Sequence, residues 1–420
     1  MTTDFVDLAK QTALSQGVAD MSLVIFPHPM GMIPFDDIRK LTANGFAEIM
    51  RAATQWKPTA KLPEMQPAFP AEHFTLTGTA REISRMFYQQ EWSMGLPIIP
   101  PTRERVAELL KGTSRRPDEV IGVVPPRMGV LTVEMAAVHA AMADCDPEFL
   151  PVIIAAMEAL LAPETNWRGA GTTTGTTSIL TIVNGPIVKQ IGMAYGQGSA
   201  GKGHHVNAAI GYAINSITYV IGGSKPPAID KGTLSAPSDF TGWIFGENED
   251  ALPKDWNPYH VDRGFNRNDS VVTVMATYEP VENIDHWSSN VTEQMKWWAH
   301  LISPLLNVGG PCAPMTLEQP VILALGPEHA EMMAVAGWTK AMFTQALWEQ
   351  TQIPLSAWPK GCAPGLLERK LGKKLTPESM IPITARPDLM EIVIAGGAGK
   401  HSHYFAPFPG AVRVSRLIKS

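Results

Sequence analysis

The chain has 420 residues, 45% of them hydrophobic and only 18% charged, with a formal charge of −6 at neutral pH. That size and balance predict a core large enough for two or three domains, and mixed charge without a basic stripe excludes a nucleic-acid surface. No apolar run approaches the ~20 residues of a membrane span, and the start MTTDFVDLAK lacks the basic and apolar parts of a signal peptide, so a cytoplasmic protein without membrane contact is expected.

The expected fold is α/β. A small N-terminal α/β module, half Rossmann-like, covers 1–56, a proline-stiffened linker covers 57–75, and a larger mixed α/β domain carrying the site covers 76–420. Residues 5–15 and 36–54 read as helices, and 21–26 as a short buried strand between them. His28 follows that strand at its carboxyl end, where open α/β sheets place ligands; a turn histidine between two prolines is the plain alternative. Helices are expected at 79–91, 103–110 and 133–143, the last capped by Thr132, with an extended segment at 120–125.

Cys145 precedes Asp146-Pro147-Glu148 and an apolar helix at 149–161. Asp at the N-cap and Pro at the first helical position form a helix-start signature. A thiol just outside a helix N-terminus is placed where the dipole and free N–H groups favour thiolate. Asp144 and Asp146 oppose that effect, and a small cysteine filling a helix corner is the alternative. Cys145, Cys312 and Cys362 are odd in number and far apart, which implies no disulfide framework.

The stretch 166–223 is the centre of the chain on this reading, with glycine, threonine and serine crowding both its ends. Its apolar runs at 179–183 and 208–221 predict a buried strand and a buried helix. Backbone-lined loops on such a core suit a binding site. Thr173, Thr174 and Asn184 are its candidate substrate contacts.

Farther on, Glu247, Glu249 and Asp250 follow an apolar strand, and His260, Asp262 and Arg263 come soon after. These acids and bases either converge on one pocket or form a solvated, ion-paired loop. A strand at 271–276, a tryptophan-rich helix at 284–300, a strand at 321–325 and a helix at 327–336 are expected next. The last strand, 390–395, runs into GGAGKHSH. There Gly396, Gly397, Gly399 and Ser402 suit an anion cradle with Lys400 and His401 beside it, although the spacing is not that of a P-loop. His204-His205 and His401-x-His403 are the close histidine pairs, so His204, His205 and His403 are candidate ligands of a divalent transition metal.

With these motifs in place, the chain resembles the bacterial UGSC (seleno)protein family, named for a selenocysteine-or-cysteine–Gly–Ser–Cys segment. The likeness rests on FVDLA at 5–9, FPHPMG at 26–31, GLPIIPPTRERV at 95–106, MADCDPEFLPV at 142–152 and IVNGPI at 182–187. It extends through GENED at 246–250, HVDRGF at 260–265, LGPEHA at 325–330 and AGGAGKHS at 395–402. The resemblance implies that the redox pair lies upstream of a segment like FVDLA, where this chain begins. It therefore suggests a separate small subunit with a Cys-Gly-Ser-Cys-like segment, or loss of the redox step. Family members carry Gly-Asn-Arg where this chain has Gly203-His204-His205, which suggests an altered substrate or a new ligand site.

The leading functional expectation is an enzyme acting on a small molecule in a Gly/Thr-lined pocket. Cys145 would be nucleophile or redox thiol, His260 or His401 acid/base, with Glu247 and Lys400 beside them and the N–H groups of 396–400 stabilising an anion. A metal-assisted hydratase, lyase or hydrolase is the second expectation. A non-catalytic scaffold subunit of a partner enzyme is the third. Eleven tryptophans and 21 methionines suggest subunit contacts.

Overall fold

A computed structural model describes residues 1–15, 18, 20–28, 30, 33–57, 71–303, 316–358 and 364–419. Cys312, Cys362 and most of the expected linker lie outside them. The fold is mixed α/β. Among the described residues no helix is long and apolar enough to cross a membrane.

The strands are β1 (Val120–Val124), β2 (Gly129–Thr132), β3 (Thr177–Asn184), β4 (Trp243–Gly246), β5 (Val271–Tyr278), β6 (Val281–Ile284), β7 (Val321–Leu325), β8 (Ile353–Pro354), β9 (Met380–Ile381), β10 (Met390–Ile394), β11 (His401–Phe405) and β12 (Val414–Leu417). β1 with β2 and β8 with β9 make small antiparallel pairs. The remaining eight form two four-stranded sheets, in the orders β12-β5-β3-β4 and β10-β7-β11-β6.

The two sheets are built alike. In the first, β3 lies parallel to β4 and antiparallel to β5, and β5 is antiparallel to β12. In the second, β7 lies parallel to β10 and antiparallel to β11, and β11 is antiparallel to β6. Each outer antiparallel strand is contributed by the chain leaving the other sheet: β6 directly follows β5, and β12 follows β11. The halves are thus interlocked through exchanged edge strands. Even the local chemistry repeats, because β3 runs into Gly185-Pro186 and β7 into Gly326-Pro327, each followed by a helix.

The period-2 alternation of the strands decides the layers. Leu180, Ile182, Phe245, Met275, Ile322, Ala324, Val393 and Phe405 point inward and pack together between the sheets. Ile179, Val183, Val272 and Val274 point the other way, into a core with the helices Val133–Met142, Leu150–Leu160 and His205–Val220. Val321, Leu323, Ile392 and Ile394 do the same on the opposite side, against Val291–Ile302, Pro327–Val335 and Lys340–Gln350. Two sheets face to face with helices outside each give a helix–sheet–sheet–helix sandwich. Between the sheets, Glu391 accepts from Arg413, from Arg263 and from the Tyr259 hydroxyl at 2.6 Å.

The N-terminal module differs from expectation. It has the helices Val6–Ser15 and Phe35–Thr54, but the segment expected as a strand forms only an isolated bridge, Thr2 with Phe26. Among the described residues its backbone bonds are those of Val24 and Phe26 with Met1 and Thr3, too few for a strand ladder or a βαβ unit. Elsewhere local signals are obeyed: Thr79 and Glu82 form a capping box, and the hydroxyl of Thr132 caps its helix.

Candidate functional site

On the side of β4 and β11 the layer between the sheets opens into a cleft of about 450 Å³. β4 supplies Trp243 and Phe245, β11 supplies His401, His403 and Phe405, β6 supplies Glu282, and the loop 396–399 crosses one end. Glu282 lies opposite His403 in the β6–β11 ladder. Its carboxylate reaches the neighbouring His401, with Oε1 2.6 Å from Nδ1. The other ring nitrogen of His401, Nε2, is 3.0 Å from Nε2 of His286, which follows β6 directly. His403 stacks obliquely on Trp243, and burial holds its imidazole below the usual range.

Where β3 and β4 end, beside this cleft, a second cluster gathers Asn184, Glu247, Glu249 and His260. Glu247 is 2% exposed. It accepts from Asn184 Nδ2 at 2.5 Å, the Tyr259 amide at 2.6 Å and the Ile394 amide at 3.2 Å. Burial nevertheless pushes its carboxyl up to about 7. Glu249 accepts from the Gly185 amide at 2.8 Å, and its Oε1 lies 3.7 Å from His260 Nδ1. The cleft and the cluster meet at the ends of β4 and β10, where Asn248 Nδ2 donates to the Gly396 carbonyl at 2.8 Å.

The Gly/Thr stretch does line a cavity, of about 640 Å³, through Gly171, Gly175, Thr177 and Ser178. Its charged lining residues are Asp230 and Asp239, both with carboxyls raised by burial. Neither Cys145 nor any of the expected histidines lines it. Thr173 caps the Gly175 amide and the Thr174 carbonyl accepts from Thr233, so both serve the loop itself.

Several of the expected residues sit away from open surface or are already engaged by the protein. Cys145 is fully buried in the helical core, where burial raises its thiol far above the usual value despite Arg105. The segment after it starts as a single 3-10 turn, Pro147–Phe149, and the exposure a nucleophile needs is missing. Lys400 Nζ is bound to the Ser288 carbonyl at 2.7 Å, which removes it from the cleft lining. Ser402 is 1% exposed and bridges the Gly326 amide and His329 Nδ1, so it is a buried brace, not a substrate contact. The amides of Gly399 and Lys400 donate at 2.6 Å to Glu328, so this part of the anion cradle already holds a carboxylate. Among the described residues the amides of Gly397 and Ala398 have no protein acceptor.

The remaining candidates are dispersed. His260 is 0% exposed and belongs to the Glu247 cluster, away from His401. His205 Nε2 lies 3.1 Å from the Asp144 carbonyl and His204 begins the helix His205–Val220, so with His403 in the cleft the expected metal trio is not assembled. His28 bonds Thr2 and packs edge-on against Phe5 within the N-terminal module. Glu282 and His286 belong to none of the sequence motifs described above. The sequence carries only a faint signal for them, the Glu279-Pro280 break that ends one strand and starts another.

The fold and cleft define a mixed α/β protein of two interlocked halves with a histidine- and aromatic-lined site between its sheets. No family model, curated protein or solved structure matches the chain.

Proposed function

We propose that the protein is an enzyme that moves a proton on a small molecule held in the cleft between the two sheets. The observation that carries this reading is the 2.6 Å pair of Glu282 with His401 Nδ1. A carboxylate can only accept, so Nδ1 carries the hydrogen and Nε2 is left as the basic nitrogen. Nε2 of the exposed His286, 3.0 Å away, donates into that lone pair, so the substrate's proton-bearing group must take the place of the His286 N–H before His401 removes the proton. Trp243, Phe245 and Phe405 offer an apolar wall for the substrate body, and the amides of Gly397 and Ala398 offer donors for an oxygen that gains charge.

A second reading rests on the same 3.0 Å distance. Two Nε2 atoms that close also suit a shared divalent metal, with Glu282 as the outer partner of His401. This moves the expected histidine metal centre from His204 and His205 to His286 and His401, and would make the reaction a metal-assisted hydration, elimination or hydrolysis.

The purified chain incubated with a small-metabolite extract, followed by mass spectrometry, tests the enzyme reading. At least one compound should be consumed by the wild type and spared by His401→Asn. Consumption of nothing, or equal consumption by both, rejects proton transfer at His401.

A further inference from the structure

We propose that Glu247, Glu249 and His260 bind one divalent first-row metal ion, manganese or zinc by donor chemistry, beside the cleft. One oxygen of each carboxylate and one ring nitrogen of His260 lie within 4.8 Å of one another. Acidic groups converge in many proteins without an ion, and the deciding observation lies on the histidine. Its ring is 0% exposed, and Nε2 lies 3.3 Å from the Arg267 carbonyl. A carbonyl only accepts, so Nε2 bears the hydrogen and Nδ1 is a bare lone pair. That Nδ1 has no hydrogen-bond partner and faces Glu249 Oε1 at 3.7 Å. Two acceptors turned toward each other inside a protein are unfavourable with nothing between them, and a cation between them removes the conflict.

The surroundings are those of a braced ligand set. The Gly185 amide and Asn184 Nδ2 orient Glu249, while the amides of Tyr259 and Ile394 orient Glu247. Metal–ligand bonds of about 2.1 Å hold donors within roughly 4 Å of each other, so the cluster closes around an ion by small side-chain shifts. Two oxygens and one imidazole favour manganese, iron or zinc over calcium or magnesium, which take all-oxygen shells. The way in is a cavity of about 320 Å³ that touches Glu247 and Glu249 and has Lys189, Tyr195 and Asp250 around it. Because Glu247 reaches the end of β10 and Asn248 holds Gly396, the ion would fix the loops of both halves next to the cleft.

This site is independent of the proton-transfer reading, and the test separates them. The full chain, stripped with a chelator, is titrated with Mn²⁺ by electron paramagnetic resonance and with Zn²⁺ by calorimetry. One ion per chain is expected, with affinity falling at least tenfold in Glu249→Gln and staying unchanged in His401→Asn. No binding, or equally tight binding to Glu249→Gln, overturns the proposal, and loss in His401→Asn alone moves the ion to the histidine pair. Should Glu249→Gln fail to fold, anomalous diffraction from Mn²⁺-loaded wild-type crystals decides. A peak among Glu247, Glu249 and His260 is expected, and a peak elsewhere or none refutes the site.

Discussion

Glu282 and His401 come from opposite ends of the sequence order of one sheet, yet their side chains meet at 2.6 Å because β6, leaving the first sheet, pairs with β11 of the second. The exchange of edge strands therefore builds the cleft. Glu282→Gln keeps the shape and removes the charge that fixes the His401 ring, so on the proposed proton-transfer function turnover should fall about 10- to 100-fold. Equal rates for the two proteins would mean that this pair does not set the active form of His401.

The lock between the sheets is Glu391 with Arg413, Arg263 and Tyr259. Glu391 is 8% exposed, so Glu391→Gln leaves two guanidinium groups without their counter-charge in a partly buried place. A loss of about 3 kcal/mol or more is expected in urea unfolding. A change under about 0.5 kcal/mol would show that the sheets hold together without it.

Gly326 is required for space, not for an unusual φ. A Cβ there would sit 2.3 Å from the His401 carbonyl oxygen, a backbone atom that cannot swing away. Gly326→Ala should cost about 1–3 kcal/mol and displace His401. Stability and activity should therefore fall together, whereas a stable but inactive variant would contradict the steric account.

His139, fully buried against the Ser216 hydroxyl at 2.8 Å, is held down to about 4 by burial. In the unfolded chain an imidazole titrates near 6.5, so below that pH the unfolded state binds the extra proton and the folded state does not. Its contribution is complete above about 6.5 and is lost as pH falls through 6.5 toward 4, by up to roughly 3 kcal/mol. Urea melts at pH 7, 6 and 5 should show falling stability, with a flatter profile in His139→Gln. Parallel profiles would place the acid sensitivity elsewhere.

Much of the architecture is legible in the sequence, because apolar runs such as those at β3, β7 and β10 are long and bounded by glycine or proline. The helix caps at Thr79 and Thr132 are equally local and equally readable. The pairing of β6 with β11 is not, since it joins residues 119 positions apart and nothing in VENIDH announces its partner. The same limit explains Cys145. A helix-start signature gives the local position of the thiol, while its depth depends on the helices Val133–Met142 and Leu150–Leu160 closing over it. The glycine loop before β11 is readable as an anion cradle, but its use by Glu328 depends on a helix that starts about 70 residues earlier.

The most direct test of the central claim compares His401→Asn with Cys145→Ala on whichever metabolite the wild type consumes. Removing the proposed general base should lower the rate by at least about 100-fold, while removing a core thiol should leave it within about twofold at a stability cost near 1 kcal/mol. The reverse pattern, with Cys145→Ala dead and His401→Asn active, would move the chemistry from the cleft to the helical core and contradict the account.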